Sequence, residues 1–471
     1  MSNVRDFGAV GDGQVDDTRA IEHAIEAGDG VLEFPRGNYR ITRTLRIELA
    51  GHGRLAVHGS GGVATLQMHA PGPALSIVGT HQQSADPQSF RPEVWQSERM
   101  TTLDALEIEG QHAEADGVRL EGIMQPVLTR LLIRRVRTAL HLTGRARNVL
   151  ISNCQIYHNT GVGVHLDQLN LHQVIVTGSH ISYCRLGGIR IENSEIRNLQ
   201  ITGNDIEYNN NRTHEVPEAD DVPAAEIYVD VGAQGTVREG TIVGNTIQAT
   251  CSPGGANIRF IGDAAGGAAA GDHRTGMWTI SGNLIGSQHV GIHLTAARGF
   301  AISGNYIYSG HHRNVLIERS SNIVLGPNCI GHNPDYGAQE LATGIRFVDS
   351  ENCSVTGLLV EDANAGQHTV DAAVPIVRDA LIELVRCRRV NISGTQVLNP
   401  TPRGLWLEDC SDTLISGCTI LDHRQPSQMQ LAIDWRGDGS GNLIANSRIG
   451  KGSAGDIQCP AHVQVTGNCL S

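Results

Sequence analysis

A six-residue pattern recurs along this chain: apolar, small polar, glycine, asparagine or small, any residue, apolar. It reads ISNCQI from Ile151, VTGSHI from Val176, ITGNDI from Ile201, IVGNTI from Ile242, ISGNLI from Ile280, ISGNYI from Ile302 and LGPNCI from Leu325. Later copies begin at Val355, Ile392, Ile415, Ile444 and Val465, and the tightest spacings are 21 to 25 residues. A repeat of that length is one supersecondary unit that cannot bury its apolar face alone, so stacked copies must make the core. A second signature follows about half a repeat later: GVHLD at 163, GIRIE at 188, EIYVD at 226, NIRFI at 257, GIHLT at 291, NVLIE at 314, GIRFV at 344 and GLWLE at 404. These segments alternate apolar and polar with the period of a strand. Their apolar members, Val164, Ile189, Ile227, Ile258, Ile292 and Val315, predict a continuous interior. The asparagines of the hexad, Asn204, Asn245, Asn283, Asn305 and Asn328, predict an amide ladder at a turn, a structural role. The pattern predicts an all-β fold, a single-stranded parallel β-helix running as one domain over 1–471.

The N-terminus departs from the repeat. Asp16 and Asp17 precede Ala20, Ile21, Ala24 and Ile25 at helical spacing, which predicts a short helix capped by one of the two aspartates and closing the end of the solenoid. The run VRDFGAVGDG, then DDTRAIEHAIEAG, then GVLEFPRGNYRIT, resembles the entry module of the pectate-lyase-like superfamily of right-handed parallel β-helix proteins. That superfamily includes polysaccharide lyases, glycoside hydrolases, epimerases and phage tailspikes. The resemblance implies a right-handed solenoid with a cap and entry module over 1–42, early coils over 43–150 and regular coils over 151–471. It assigns no catalytic residue, because the Tyr-Gly-Phe-Asp-Pro-His motif of alginate epimerases and the Asn-Thr-Asp and Arg-Ile-Lys signatures of polygalacturonases are absent from the sequence.

Function in such a solenoid belongs to an exposed sheet walled by loops that interrupt the repeat. The hexad spacing widens to 41 residues from Ile201 to Ile242 and to 38 from Ile242 to Ile280. The insertions responsible, 209–225 and 262–276, fall before and after the second strand, which predicts a walled groove; 331–343 and 361–380 extend one wall. The outward positions of that strand read His165, Arg190, Tyr228, Arg259, His293, Leu316, Arg346, Glu383, Trp406 and Asp434. The next outward column reads Asp167, Glu192, Asp230, Ile261, Thr295 and Glu318. His165, Arg190, Arg259, His293 and Arg346 are therefore the candidate substrate-binding residues.

Carboxylates gather in one coil and its insertion: Asp205, Glu207, Asp220, Asp221, Glu226 and Asp230. Glycoside hydrolysis needs two such acids. Glu226 and Asp230 read as lying on one face but about 13 Å apart, too far for a retaining pair, so the pair must join two segments, such as Asp230 with Asp220 or Asp221. Elimination from a uronic acid asks instead for a base, an acid and a cation, a set met by Tyr228 or His293 with Arg259 or Arg190. Three readings stay open: a carbohydrate-active enzyme cleaving glycosidic bonds by hydrolysis or transfer, a polysaccharide lyase, and a non-catalytic glycan-binding or tailspike-like module.

Composition narrows the partners. The formal charge is −13, which argues against nucleic acid, and Lys451 is the sole lysine. No apolar run approaches the ~20 residues that would span a membrane. The ten cysteines lack paired or zinc-like spacing and read as free buried thiols. No cofactor is required by the motifs, and calcium, used by some β-helix lyases, has no recognisable ligand loop here. A glycan is the expected substrate, and the assembly is expected to be a monomer or a homotrimer. The chain is expected to be cytoplasmic, phage-like, or secreted after loss of a signal segment.

Overall fold

A computed structural model describes residues 1–82, 90–262, 274–333, 343–362 and 378–470. The chain divides into two compact units, Met1–Thr241 and Ile242–Ser471, described here one at a time.

The first unit opens with the helix Thr18–Ala27, which buries Ile21, Ala24 and Ile25. The two aspartates before it divide their work. Asp16 Oδ1 accepts from the Thr18 amide at 3.1 Å. Asp17 stands at the N-cap position without a capping bond and instead accepts from the amides of Val10 (2.6 Å) and Gly11 (3.1 Å), pinning the preceding loop. Parallel coils follow, each built of three strands. One coil runs Gly187–Glu192, Glu195–Thr202 and Asp205–Glu207, with left-handed backbone at its corners at Asn193, Gly203 and Tyr208. Every second residue turns inward, and Val164, Ile189 and Ile227 are fully buried, as their period-two pattern requires. At one corner Asn204 Oδ1 accepts from the Ser179 amide while its Nδ2 donates to the Val176 carbonyl, both groups of the preceding coil.

The second unit repeats this construction. The coil Val290–Thr295, Ala297–Ser303 and Tyr306–Tyr308 pairs in parallel with the coils on either side. Its asparagine ladder is continuous: the amides of Asn245, Asn283 and Asn305 donate to Oδ1 of Asn283, Asn305 and Asn328, at 2.9, 3.0 and 2.9 Å. Burying a peptide group without a partner costs about 1–3 kcal/mol, so the ladder solves at each corner what strand pairing solves elsewhere.

All ten cysteines are free. Seven are buried, whereas Cys329 and Cys459 are half-buried and Cys469 is exposed. Cys154 stands at a corner where the next coil has Ser179; its Sγ donates to the Ser152 carbonyl at 3.3 Å, and burial pushes its thiol up to about 11. No helix among the described residues is long and apolar enough to cross a membrane.

Candidate functional site

On the first unit, the strands Val162–Thr177, Gly187–Glu192 and Ala225–Asp230 align His165, Arg190 and Tyr228 in one outward column and Asp167, Glu192 and Asp230 in the next. The column is tightly cross-linked. Arg190 Nη2 and Nε donate to Glu192 at 2.8 and 3.2 Å, His165 Nε2 lies 2.9 Å from the same carboxylate, and the guanidinium sits 4.4 Å from the Tyr228 ring centroid. The hydrogen bond from His165 and the Arg190 charge hold the Glu192 carboxyl down at about 2. Tyr228 donates to Asp230 at 3.3 Å, and burial together with the Asp230 charge pushes its phenol up to about 12.

A second outward face of the same unit is built from three-residue strands. Tyr157, Ser182 and Glu207 form one column, and Gln155, His180 and Asp205 its neighbour. Asp205 and Glu207 are both half-buried, flanking the inward Ile206. His180 Nδ1 lies 3.2 Å from Asp205 Oδ2. Burial and the neighbouring Asp205 charge raise the Glu207 carboxyl above its ordinary range. At the corner beside this pair, His158, Tyr183 and Tyr208 take left-handed backbone in successive coils, and their rings stack at 4.9 and 5.7 Å. Sequence reasoning missed these rings. Their signal was present, since 158, 183 and 208 recur at the 25-residue spacing of the local hexads.

The insertion that follows Tyr208 folds back along this corner. Glu215 reaches Arg135 at 3.4 Å, Arg185 holds both Glu218 and the Val216 carbonyl, and His214 packs edge-on to His158 at 6.4 Å. Asp221 is committed to Arg212 at 2.5 Å, which braces the loop, while Asp220 is exposed. The insertion is thus a wall beside Asp205 and Glu207, and neither loop acid is seen to pair with Asp230.

Glu226 is not on the outward face with Asp230. It is fully buried and accepts from the Asn209 amide at 3.1 Å and from Asn209 Nδ2. Alternation fails here because Glu226 stands at a corner, opposite Gly188, where the chain is still turning into the strand. Burial raises its carboxyl well above the ordinary range.

On the second unit, Arg259, His293, Leu316, Arg346, Glu383, Trp406 and Asp434 align in the order read from the sequence. Arg259 Nη1 donates to Thr295 Oγ1 at 2.8 Å, and His293 Nε2 lies 2.7 Å from Glu318. Part of this column is not solvent-facing. Glu383 is fully buried between Arg313 (3.1 Å) and Arg346 (2.6 Å), and Asp434 is fully buried between Arg403 and Arg436. Of the remaining expected walls, 263–273, 334–342 and 363–377 lie outside the described residues. Among the described residues no group of three or more His, Cys, Asp or Glu is placed to hold a metal ion.

Two family models match the chain. One, described as the right-handed β-helix region, covers residues 94–256; the other, described as rhamnogalacturonase A/epimerase, pectate lyase-like, covers residues 1–67. The tailspike protein of Dettilon aligns over 97% of this chain and 68% of its own, with 14% identity and a TM-score of 0.50, a likeness of fold. The chain is a right-handed parallel β-helix, and its first 67 residues match the pectate-lyase-like model. Alginate lyase 7 of Azotobacter vinelandii is 52% identical to this β-helix over 44 residues, 8% of this chain and 5% of that protein. Mannuronan C5-epimerase AlgE3 of the same organism matches at the same identity over 2% of its length. The catalytic unit of an α-1,3-glucanase from Streptomyces thermodiastaticus aligns at 15% identity over all of this chain and 68% of its own, with a TM-score of 0.39.

Proposed function

We propose that this β-helix is a carbohydrate-active enzyme that hydrolyses a glycosidic bond, with Glu207 as general acid and Asp205 as general base. The observation that carries the reading is the split environment of these two carboxyls on one strand. A hydrolase needs one acid kept protonated and one ionised. Burial and the Asp205 charge favour a protonated Glu207, and His180 steadies Asp205 through Oδ2, leaving Oδ1 for water. By contrast, Glu192, Glu318 and Glu383 are each engaged by a histidine or arginine that favours the ionised form.

In this reading Glu207 gives its proton to the leaving oxygen as the glycosidic bond breaks. Asp205 takes a proton from the water whose oxygen joins the anomeric carbon. Residues two apart on a strand lie about 6.6 Å apart at Cα, a spacing from which two side chains on one face can reach the ~6.5–9.5 Å carboxyl separation of inverting enzymes. Tyr157, Tyr183 and Tyr208 beside the pair supply apolar ring edges against which a sugar can pack. The relatives named as alginate lyase and mannuronan C5-epimerase support a glycan as the substrate class.

Elimination fits less well. Arg190, the expected neutraliser of a uronate, already spends two donors on Glu192, and the Tyr228 phenol is a donor pushed away from a base's range. Incubation with plant, algal and microbial glycans, reading reducing ends and the absorbance of unsaturated uronates, tests the proposal. New reducing ends without unsaturated product support it. Silence in both channels across the panel sinks the enzyme reading, and unsaturated product moves it to elimination.

A further inference from the structure

The second unit carries a hollow of about 460 Å³ on a corner that no sequence motif marked. Its floor is the turn between the first and second strands of successive coils. In register along that turn, Ala296, Arg319, Asp349, Arg386, Asp409 and Gly437 all take left-handed backbone, each of the first five donating its amide to the next coil. Such positions favour glycine, asparagine and aspartate, and Gly144, Asn193 and Gly232 hold left-handed turns in the first unit. Other left-handed corners of the chain carry long side chains too, among them Gln168, Arg130 and Arg135, so what marks this corner is the run of four charged residues in one column. The hollow runs over the four charged rungs and stops where the column reaches Ala296 and Gly437, which bring little or no side chain.

The adjoining column reads Ser321, Glu351, Arg388 and Ser411 in register. Ion pairs join the two central rungs of each column. Arg386 holds Asp349 through Nε and Nη2 at 2.6 and 2.9 Å, Arg388 pairs with Glu351, and Arg389 reaches Glu351 at 2.8 Å. Four rungs span about 14 Å at the ~4.8 Å spacing of a parallel sheet. A guanidinium keeps free N–H donors after a two-point pair, and each carboxylate keeps free lone pairs. The hollow therefore presents donors, acceptors and serine hydroxyls in alternation, already held in place. Its three arginines balance Asp349, Glu351 and Asp409, so a polyelectrolyte of either sign gains no net attraction.

We infer that this corner is a second, non-catalytic binding groove for a neutral oligosaccharide lying along the solenoid axis. A polyhydroxylated chain without charge is the ligand whose hydroxyls use both donors and acceptors at a net-neutral surface. The inference deepens the carbohydrate reading and rests on it for the ligand class, while its test does not need turnover. The groove holds its ligand through hydroxyls with no aromatic platform in its lining, which predicts weak, enthalpy-driven binding.

The test is titration of the full chain carrying Glu207→Gln with neutral gluco-, xylo- and manno-oligosaccharides and, separately, with oligogalacturonate, read by calorimetry. The companion protein adds Arg386→Asn and Arg388→Ser, of which Arg386→Asn suits the left-handed turn and keeps the coil intact. At least one neutral oligosaccharide is expected to bind, with affinity reduced tenfold or more in the companion, while its melting curve is unchanged. Equal affinity in the two proteins overturns the groove, as does binding of oligogalacturonate alone or of no sugar at all. Cleavage by the wild-type chain is scored apart, so failure of the hydrolase reading and failure of the groove are separate results.

Discussion

At the scale of single residues, Glu226 is a carboxyl fully shut off from water. A carboxyl that burial keeps protonated in the fold ionises first in the unfolded chain. Its folded pKa is raised, so its contribution to stability is fully present below the ordinary carboxyl range. That contribution is lost as pH rises from there through its own pKa. Glu226→Gln keeps the acceptor for Asn209 and removes the titration. The variant is therefore expected to melt at least as high as wild type at pH 8, by a margin that shrinks toward pH 4. A variant that melts lower at pH 8 shows Glu226 to be ionised in the fold. This residue also marks where reading by alternation stops. Asp205 and Glu207 flank the inward Ile206 as strand parity requires, whereas Glu226 sits where the backbone turns and parity no longer says which way a side chain points. The rings of His158, Tyr183 and Tyr208 recur at 25 residues, but a recurrence at corner positions carries no strand or helix period and so does not announce a stacked row.

At the scale of elements, the outward columns appeared in the register the pentads imply, but their burial did not. Glu383 belongs to an outward column and yet is sealed by Arg313, a residue 70 positions earlier, and by the amides of Asp379 and Ala380. Periodicity assigns a face and is silent on what covers it. Burial works to raise the Glu383 carboxyl, but the charges of Arg313 and Arg346 outweigh it and hold it below the ordinary range. Its stabilising contribution is present above the unfolded carboxyl pKa and is lost as pH falls through the lowered folded value. Removing one member of a buried pair leaves the other charge uncompensated, at a cost of about 3–5 kcal/mol. Glu383→Gln is accordingly expected to lower the denaturation midpoint far more than Glu192→Gln, whose partners Arg190 and His165 reach solvent. Equal shifts in urea titrations of the two variants contradict the burial argument.

At the scale of the molecule, the repeat made the fold readable and the departures from it made the site readable only in part. A 21- to 25-residue period with alternating strands leaves a stacked solenoid as the way to bury so many isoleucines and valines. The entry module added handedness. The site depends on how an insertion folds, and 209–225 leans along the corner of Asp205 and Glu207 through Arg135 and Arg185, contacts no repeat encodes. In the proposed reading the catalytic pair is therefore Glu207 and Asp205, with Tyr228 and Asp230 outside it. The most direct measurement is proton NMR of the first product formed from a glycan that the wild-type chain cleaves, alongside Glu207→Gln and Tyr228→Phe. The account predicts inversion at the new reducing end, a loss of about 10²–10⁴-fold in rate for Glu207→Gln, and near wild-type rate for Tyr228→Phe. Full activity in Glu207→Gln with loss in Tyr228→Phe contradicts it.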